Sequence, residues 1–307
     1  MRVRGFTGVG LRVQGGCQGI HSGGSGPASA PPPGPHDPKR CAATWLSIAW
    51  PGNPRVRGLF TSRAGGVSMG AYAAQGRPDQ AGSPAIGGMN LGTHVGDDAL
   101  AVVVNRERLR VALSGAQPVF LQQVHGVDLA DLDALTTQKE PVADAAMTTR
   151  PGVAATVLVA DCLPVLFAAP GGRGVAAVHA GWRGLASGVL EVTLHALCVR
   201  SGCTPDQVQA VLGPAIGPQA FEVGDEVRAA FVHAQPRTAS AFRPGLPDKW
   251  WADIWQLARI RLQLAGMAPD LIAGGGLCTY GNPQRFYSYR RQRVTGRQAA
   301  CVWLDTD

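Results

Sequence analysis

Residues 153–184, VAATVLVADCLPVLFAAPGGRGVAAVHAGWRG, constrain the fold more than any other part of this chain. They are apolar, strand-like runs interrupted by Asp161 and Pro164, with PGGRG (170–174) reading as the turn of a hairpin between strands over 163–169 and 174–179. The runs carry two strong metal-ligating residues, Cys162 and His179, each placed where a run gives out. Buried strands that deliver a Cys and a His to one sheet edge can build a site as well as a core. A third candidate, His125, ends the apolar stretch FLQQVHG. One Cys and two His give three protein ligands, the number that suits a zinc ion with one open position. The spacings of 37 and 17 residues match no zinc-finger or HExxH signature. Two plainer readings therefore stand beside the metal. A strand Cys usually packs as a small hydrophobe, and a His after a strand often serves as a hydrogen-bonded spacer. The glycines of VHG and HAGWRG favour a site, because they let a ligand or another backbone approach closely.

Composition narrows the classes. The chain has 307 residues, 45% of them hydrophobic and 16% charged, with 41 Gly and 23 Pro, so turns and packed strands are expected more than long helices. Net charge is +7, but residues 1–40 hold Arg2, Arg4, Arg12, Lys39 and Arg40 against Asp37 alone, which puts +4 there. The mildly basic remainder gives no footprint for nucleic acid and accommodates a small anionic substrate. The 7 cysteines form no CxxC pair, and no apolar leader is evident at the N-terminus, so free thiols in a reducing cytoplasm are expected. The longest apolar candidate for a membrane span, 153–169, is broken by Asp161 and Pro164.

Residues 1–43 are Gly-, Ser- and Pro-rich and read as a disordered tail; 44–307 read as one domain. Residues 73–88 read as a surface loop. Asp97 or Asp98 caps a helix expected to run to about Ser114, with Val102, Leu109 and Leu113 on one face and Gly115 as its stop. Further helices are expected over 185–199, 223–234 and 251–265. Strands are expected in WLSIAW, GLFTSRAGGVS, PVFLQQVHG, LIAGGGLCTY and QAACVWL, and DAAMTTRPG reads as a turn region. Strands and helices mix without strict alternation, which favours an α+β layered fold.

Other residues compete for a place in a site. Asp161 could orient a ligand imidazole or merely cap a turn. Arg63 and Arg183 sit in Gly-rich turns beside strand ends, where the planar guanidinium suits phosphate or carboxylate. Arg290 and Arg291 are weaker candidates. Trp182 and Tyr280 could stack on a ring or simply pack. Cys278 lies at another strand end near glycines. No P-loop, GxGxxG or GxSxG is present, so nucleotide-triphosphate, dinucleotide and serine-hydrolase chemistry lack support.

Several stretches together resemble the YfiH/YlmD family, once called multicopper polyphenol oxidase or laccase-domain proteins. They are TSRAGGVS (61–68), MNLGTHVGDD (89–98), FLQQVHG (120–126), the run 144–167 with ADCLPV, AAVHAGWRGLASGVLE (176–191), LGPAIGPQAFEVGDEV (212–227), LCTY (277–280) and FYSYRRQRVTGRQA (286–299). The resemblance implies a layered α/β/β/α sandwich with mixed sheets, like that of cysteine-hydrolase-like toxin domains. It implies zinc on His125, Cys162 and His179, with Cu2+ as an alternative occupant, and the same three residues as the catalytic set. It implies nucleoside and phosphate as small-molecule partners: phosphorolysis of adenosine, inosine and S-methyl-5'-thioadenosine, and hydrolytic deamination of adenosine. On that basis Arg63 with a second arginine such as Arg183 would hold phosphate, and Asn90 and Cys278 would line the pocket. Some bacterial relatives are instead described as peptidoglycan-editing factors, which suggests an amidohydrolase with Cys162 as nucleophile and His179 as base. A copper-dependent polyphenol oxidase is a further alternative. The chain has 7 His and no HxH pair, so four-copper chemistry is not expected from it. A non-catalytic metal-binding module would show no turnover at all.

Overall fold

The computed structural model describes residues 11–13, 45–74, 87–136 and 139–306. The 1–43 tail lies outside these residues apart from 11–13, and so do residues 75–86 of the expected 73–88 loop. Two six-stranded sheets dominate. The first runs in the order Leu11–Val13, Leu46–Ile48, Val56–Phe60, Gln298–Leu304, Val153–Val159, Gln117–Val119. The second runs Ile272–Gly274, Gln209–Leu212, Leu163–Ala168, Val175–Ala180, Ala145–Thr148, Leu129–Asp131. Both are antiparallel in the middle and acquire parallel pairs at their edges. A small third sheet joins Glu222–Gly224, Lys249–Ala252 and Phe242–Pro244.

Side-chain parity builds the layers. Val165 and Phe167 pack into one cluster while their neighbours Leu166 and Ala168 pack into another. Along Gln298–Leu304, Ala300, Val302 and Leu304 share that second cluster, and Ala299, Cys301 and Trp303 face a third. The second cluster is therefore the seam between the sheets. Helix Ala99–Ala112 covers the outer face of the first sheet through Leu109, and helices Val189–Ser201 and Ile254–Leu264 cover the second through Leu194, Leu197, Leu257 and Leu262. The result is the α/β/β/α sandwich. A one-residue slip in any central strand would exchange the two faces and send seam side chains into the helix-covered clusters and the reverse. Among the described residues no helix is long and apolar enough to cross a membrane.

The sequence-based elements hold with informative exceptions. Asp98 caps the first helix by accepting from the Leu100 N–H; the helix ends at Ala112, before the expected stop, because Ser114 at φ 55° is already left-handed ahead of Gly115. The 163–180 hairpin forms as expected. The expected 185–199 helix is two helices, Trp182–Ser187 and Val189–Ser201, parted by Gly188 at φ 102°. The expected turn 144–152 contains the buried strand Ala145–Thr148, whose four backbone partners on Val175–Ala180 override its weak β propensity. The last long helix starts at Ile254, because Lys249–Ala252 is a strand and Asp253 is the cap. In LIAGGGLCTY the strand stops at Gly274, since Gly274, Gly275 and Gly276 all take positive φ.

Candidate metal centre

The polypeptide crosses from one sheet to the other between Val159 and Leu163, so Cys162 sits on a short strap joining the layers. The hairpin pairs His179 with Pro164 and Ala180 with Leu163, which brings the end of the His179 strand beside the start of the Cys162 strand. The same strand pairs Val178 with Ala145, so the next residue, His179, stands opposite Asp144. The His179 N–H donates to the Asp144 carbonyl at 2.7 Å, and its Nδ1–H donates to the Asp144 carboxylate at 2.7 Å. That carboxylate also accepts the backbone N–H groups of Val124, His125 and Gly126 at 3.1, 2.9 and 2.7 Å. His125 takes φ 62°, an uncommon value for a non-glycine residue, and these bonds hold it there. One buried carboxylate thus holds the His179 imidazole and the backbone that carries His125.

The three expected ligands come together. Their donor atoms all lie within 4.8 Å of one another, with Cys162 Sγ 3.9 Å from His125 Nε2. The imidazoles meet edge-on, centroids 4.8 Å apart. Burial opposes ionisation of Cys162, yet the facing His179 and the hydrogen bond with His125 bring its thiol down to about 6. Burial likewise opposes charging His179, yet Cys162 and then Asp144 raise it to about 9. A thiolate therefore stands ready near neutral pH. His179 uses Nδ1 on Asp144 and keeps Nε2 for a ligand, the arrangement typical of metal-bound histidines. Gly181 leaves the space beside these atoms open: a Cβ there would lie 2.9 Å from His125 Cδ2 and 3.2 Å from Cys162 Sγ. Two nitrogens and a thiolate around such a space fit a zinc-type ion, and copper could take the same donors.

The ligands line a cavity of about 690 Å³ together with Gln123, His94, Glu140, Tyr289 and Arg297. Arg297 is the one guanidinium among its described lining residues. Its stem fits against Gly92, its Nη1 donates to the carbonyls of Thr295 and Gly296, and burial lowers its pKa while nearby Cys162 offsets part of that. Asp161 is not bonded to an imidazole. It takes φ 92° and its carboxylate accepts from Thr279 Oγ, Ser288 Oγ and the Arg290 N–H, bracketing Tyr289.

The expected substrate-binding residues lie elsewhere. Arg63 is 2% exposed and donates to the carbonyls of Ala71 and Ala73. Asn90 is buried and holds the backbone of Gly92 and Arg297, so it bears on the cavity through the segments that carry Thr93 and Arg297 and not by lining it. Arg183 is exposed and stacks on Trp182. Cys278 accepts from the N–H groups of Gly217 and Gly281 and lines a separate cavity. Arg290 and Arg291 brace loop carbonyls, and Tyr280 is 41% exposed outside the cavity. Sequence reasoning missed Asp144, Tyr289 and Arg297. Only Asp144 left a signal, as a carboxylate opening the strand opposite HAGWRG.

Residues 57–305 match the family described as multi-copper polyphenol oxidoreductase laccase. The chain belongs to this laccase family. Its relatives include a purine nucleoside phosphorylase of Pseudomonas aeruginosa, 47% identical over 261 residues that cover 85% of this chain and 98% of the relative. The purine nucleoside phosphorylase YfiH of Escherichia coli is 44% identical, covering 83% and 96%. Among solved structures, a Neisseria meningitidis protein of the DUF152 family aligns with a TM-score of 0.76 at 41% identity, over 86% of this chain and all of that one. Bacillus licheniformis YfiH aligns at 0.74 and 27% identity, over 85% and 97%. The laccase-family name concerns copper, but the donors here are three, and among the described residues no second cluster of three or more ligand side chains occurs.

Asp144→Asn tests the carboxylate. It keeps the volume but removes the charge and replaces one acceptor oxygen with an NH2, which faces backbone N–H donors whichever way the amide turns. Metal affinity is expected to fall roughly 10- to 100-fold, measured by competition with a chelator. Unchanged affinity would show that Asp144 does not orient the imidazoles.

Proposed function

We propose that this chain is a zinc-dependent purine nucleoside enzyme that cleaves adenosine, inosine and S-methyl-5'-thioadenosine with phosphate and also deaminates adenosine. The observation that carries this reading is the joint placement of a three-ligand cluster and a single guanidinium, Arg297, on one cavity, in a chain whose relatives are named purine nucleoside phosphorylases. His125, Cys162 and His179 would hold the ion. When bound, it supplies a Lewis-acidic position open to substrate or water. Asp144 keeps His179 in the tautomer that presents Nε2. Arg297 offers charge-assisted donors to phosphate and holds it toward the ribose C1′. Tyr289, between the two residues that Asp161 holds and with Arg293 4.9 Å over its ring, lines the same cavity and would pack beside the purine.

Metal-defined protein incubated with adenosine or inosine tests the reading. Free base and ribose 1-phosphate should appear only with phosphate, and inosine should appear from adenosine without it. No product from either nucleoside under both conditions rejects it. Arg297→Gln separates the parts. Loss of a charge-assisted bond worth about 1.5–3 kcal/mol should raise the KM for phosphate roughly 10- to 100-fold and leave metal content intact. An unchanged phosphate KM would remove Arg297 from that role.

A second reading has its own observation. Cys162, His179 and Asp144 line up as thiolate, imidazolium and orienting carboxylate, with the Cys162 thiol lowered to about 6 and His179 raised to about 9. That is the arrangement of a cysteine hydrolase acting on amides such as muropeptide precursors. Alkylation of Cys162 that zinc blocks and amide substrates do not would reject this reading.

A further inference from the structure

Helix Val189–Ser201 ends in a way that brings two thiols together. Gly202 adopts φ 58° and ψ 50°, the Cys203 N–H donates to the Cys198 carbonyl at 3.1 Å, and the Gly202 N–H donates to the Val199 carbonyl. This is the Schellman termination, in which the side chain three places before the end cap meets the one two places after it. Those positions commonly hold apolar residues; here both are cysteines. Cys198 is buried in the helix-side core and Cys203 is half-buried against the same core. Both line one surface cavity of about 840 Å³ with Leu194, His195 and Gln207, and this cavity shares no lining residue with that of the three metal ligands. Burial, and after it the neighbouring Cys203 thiol, push the Cys198 thiol up to about 12.

We propose that Cys198 and Cys203 form a modification site, a thiol pair that closes to an intramolecular disulfide on meeting a two-electron oxidant of the peroxide class. Cys203, the more exposed sulfur, attacks a peroxide oxygen. The O–O bond breaks, water leaves and Cys203 becomes a sulfenic acid. The Cys198 sulfur attacks that sulfur, the S–O bond breaks, and hydroxide leaves with the Cys198 proton as a second water. The pair gives up two electrons and two protons, and peroxide is reduced to two waters. Cys198, the buried partner, is shielded from the oxidant and meets the sulfur of Cys203 only after that has been oxidised. The bond spans a turn that already exists, so the helix end need not unwind.

The metal-loaded full chain is treated with hydrogen peroxide, quenched by alkylation and digested with trypsin. Arg200 lies between the cysteines, so their peptides separate unless the bond joins them. The expected product is a Cys198–Cys203 cross-linked pair, with a mass lower by about 2 Da than the sum of the reduced peptides, reversed by dithiothreitol. Cys203→Ser should leave Cys198 unoxidised at the same dose. Gly202→Ala strains the left-handed turn and should lower the cross-link yield several-fold. Separate sulfinic or sulfonic acids without a cross-link, or Cys203 joined only to glutathione or a second chain, would overturn the proposal. So would undiminished yield in Gly202→Ala.

Discussion

His125→Ala is expected to abolish stoichiometric metal binding and to lower nucleoside turnover by about three orders of magnitude, about 4 kcal/mol of transition-state stabilisation. The reason is geometric. His125 lies far from the hairpin that sets His179 beside the start of the Cys162 strand, and the bonds of its segment to Asp144 hold its φ at 62°. Removing its imidazole leaves Cys162 and His179, too few donors for an ion that also keeps an open position. The fold should survive, because the backbone N–H groups that Asp144 holds remain. Metal analysis beside a turnover assay and a circular-dichroism melt reads all three quantities. Turnover that survives complete metal loss would make the ion structural and overturn the catalytic assignment.

Gly181→Ala attacks the same centre without touching a ligand. Gly181 sits at φ −61° and ψ 155°, which any residue adopts, so the substitution costs nothing in backbone strain. Its Cβ would instead press on His125 Cδ2 at 2.9 Å and Cys162 Sγ at 3.2 Å. Both contacts are to side chains that can yield only by leaving the positions where they share an ion. Metal occupancy is expected to fall at least roughly 10-fold, since misplaced ligands lose about what lost orienting partners do. The apo melting temperature should shift little. Retention of full occupancy at wild-type affinity would show that the ion sits away from this glycine.

The three candidate ligands were legible because each ends an apolar run next to glycines, although packing and spacer roles stood beside the metal until the structure brought the three together. The hairpin was legible from PGGRG. Asp144 was not legible as a brace: a carboxylate just ahead of the apolar run was visible, but its meaning depends on the register between Ala145–Thr148 and Val175–Ala180, and the alanine-rich segment reads as a turn. Tyr289 and Arg297 were hidden for a different reason. Their segment is anchored by Asp161, 127 residues from Ser288 and 129 from Arg290, so no local pattern could place it. Arg63 misled in turn: a guanidinium in a glycine-rich bend reads as an anion receptor, but here it satisfies loop carbonyls inside the protein. Gly188 split one expected helix because hydrophobic periodicity continues across a residue whose left-handed backbone breaks it.

The strap between Val159 and Leu163 has a mechanical consequence. Cys162 rides on the linker while His179 and its carboxylate brace belong to the second sheet. A bound cation therefore clamps the linker to one slab of the sandwich, and any sliding of the slabs against each other stretches the sulfur-to-nitrogen span. Occupancy becomes a gauge of interlayer alignment, and chelation should loosen amide protons along the seam before it loosens those on the outer faces.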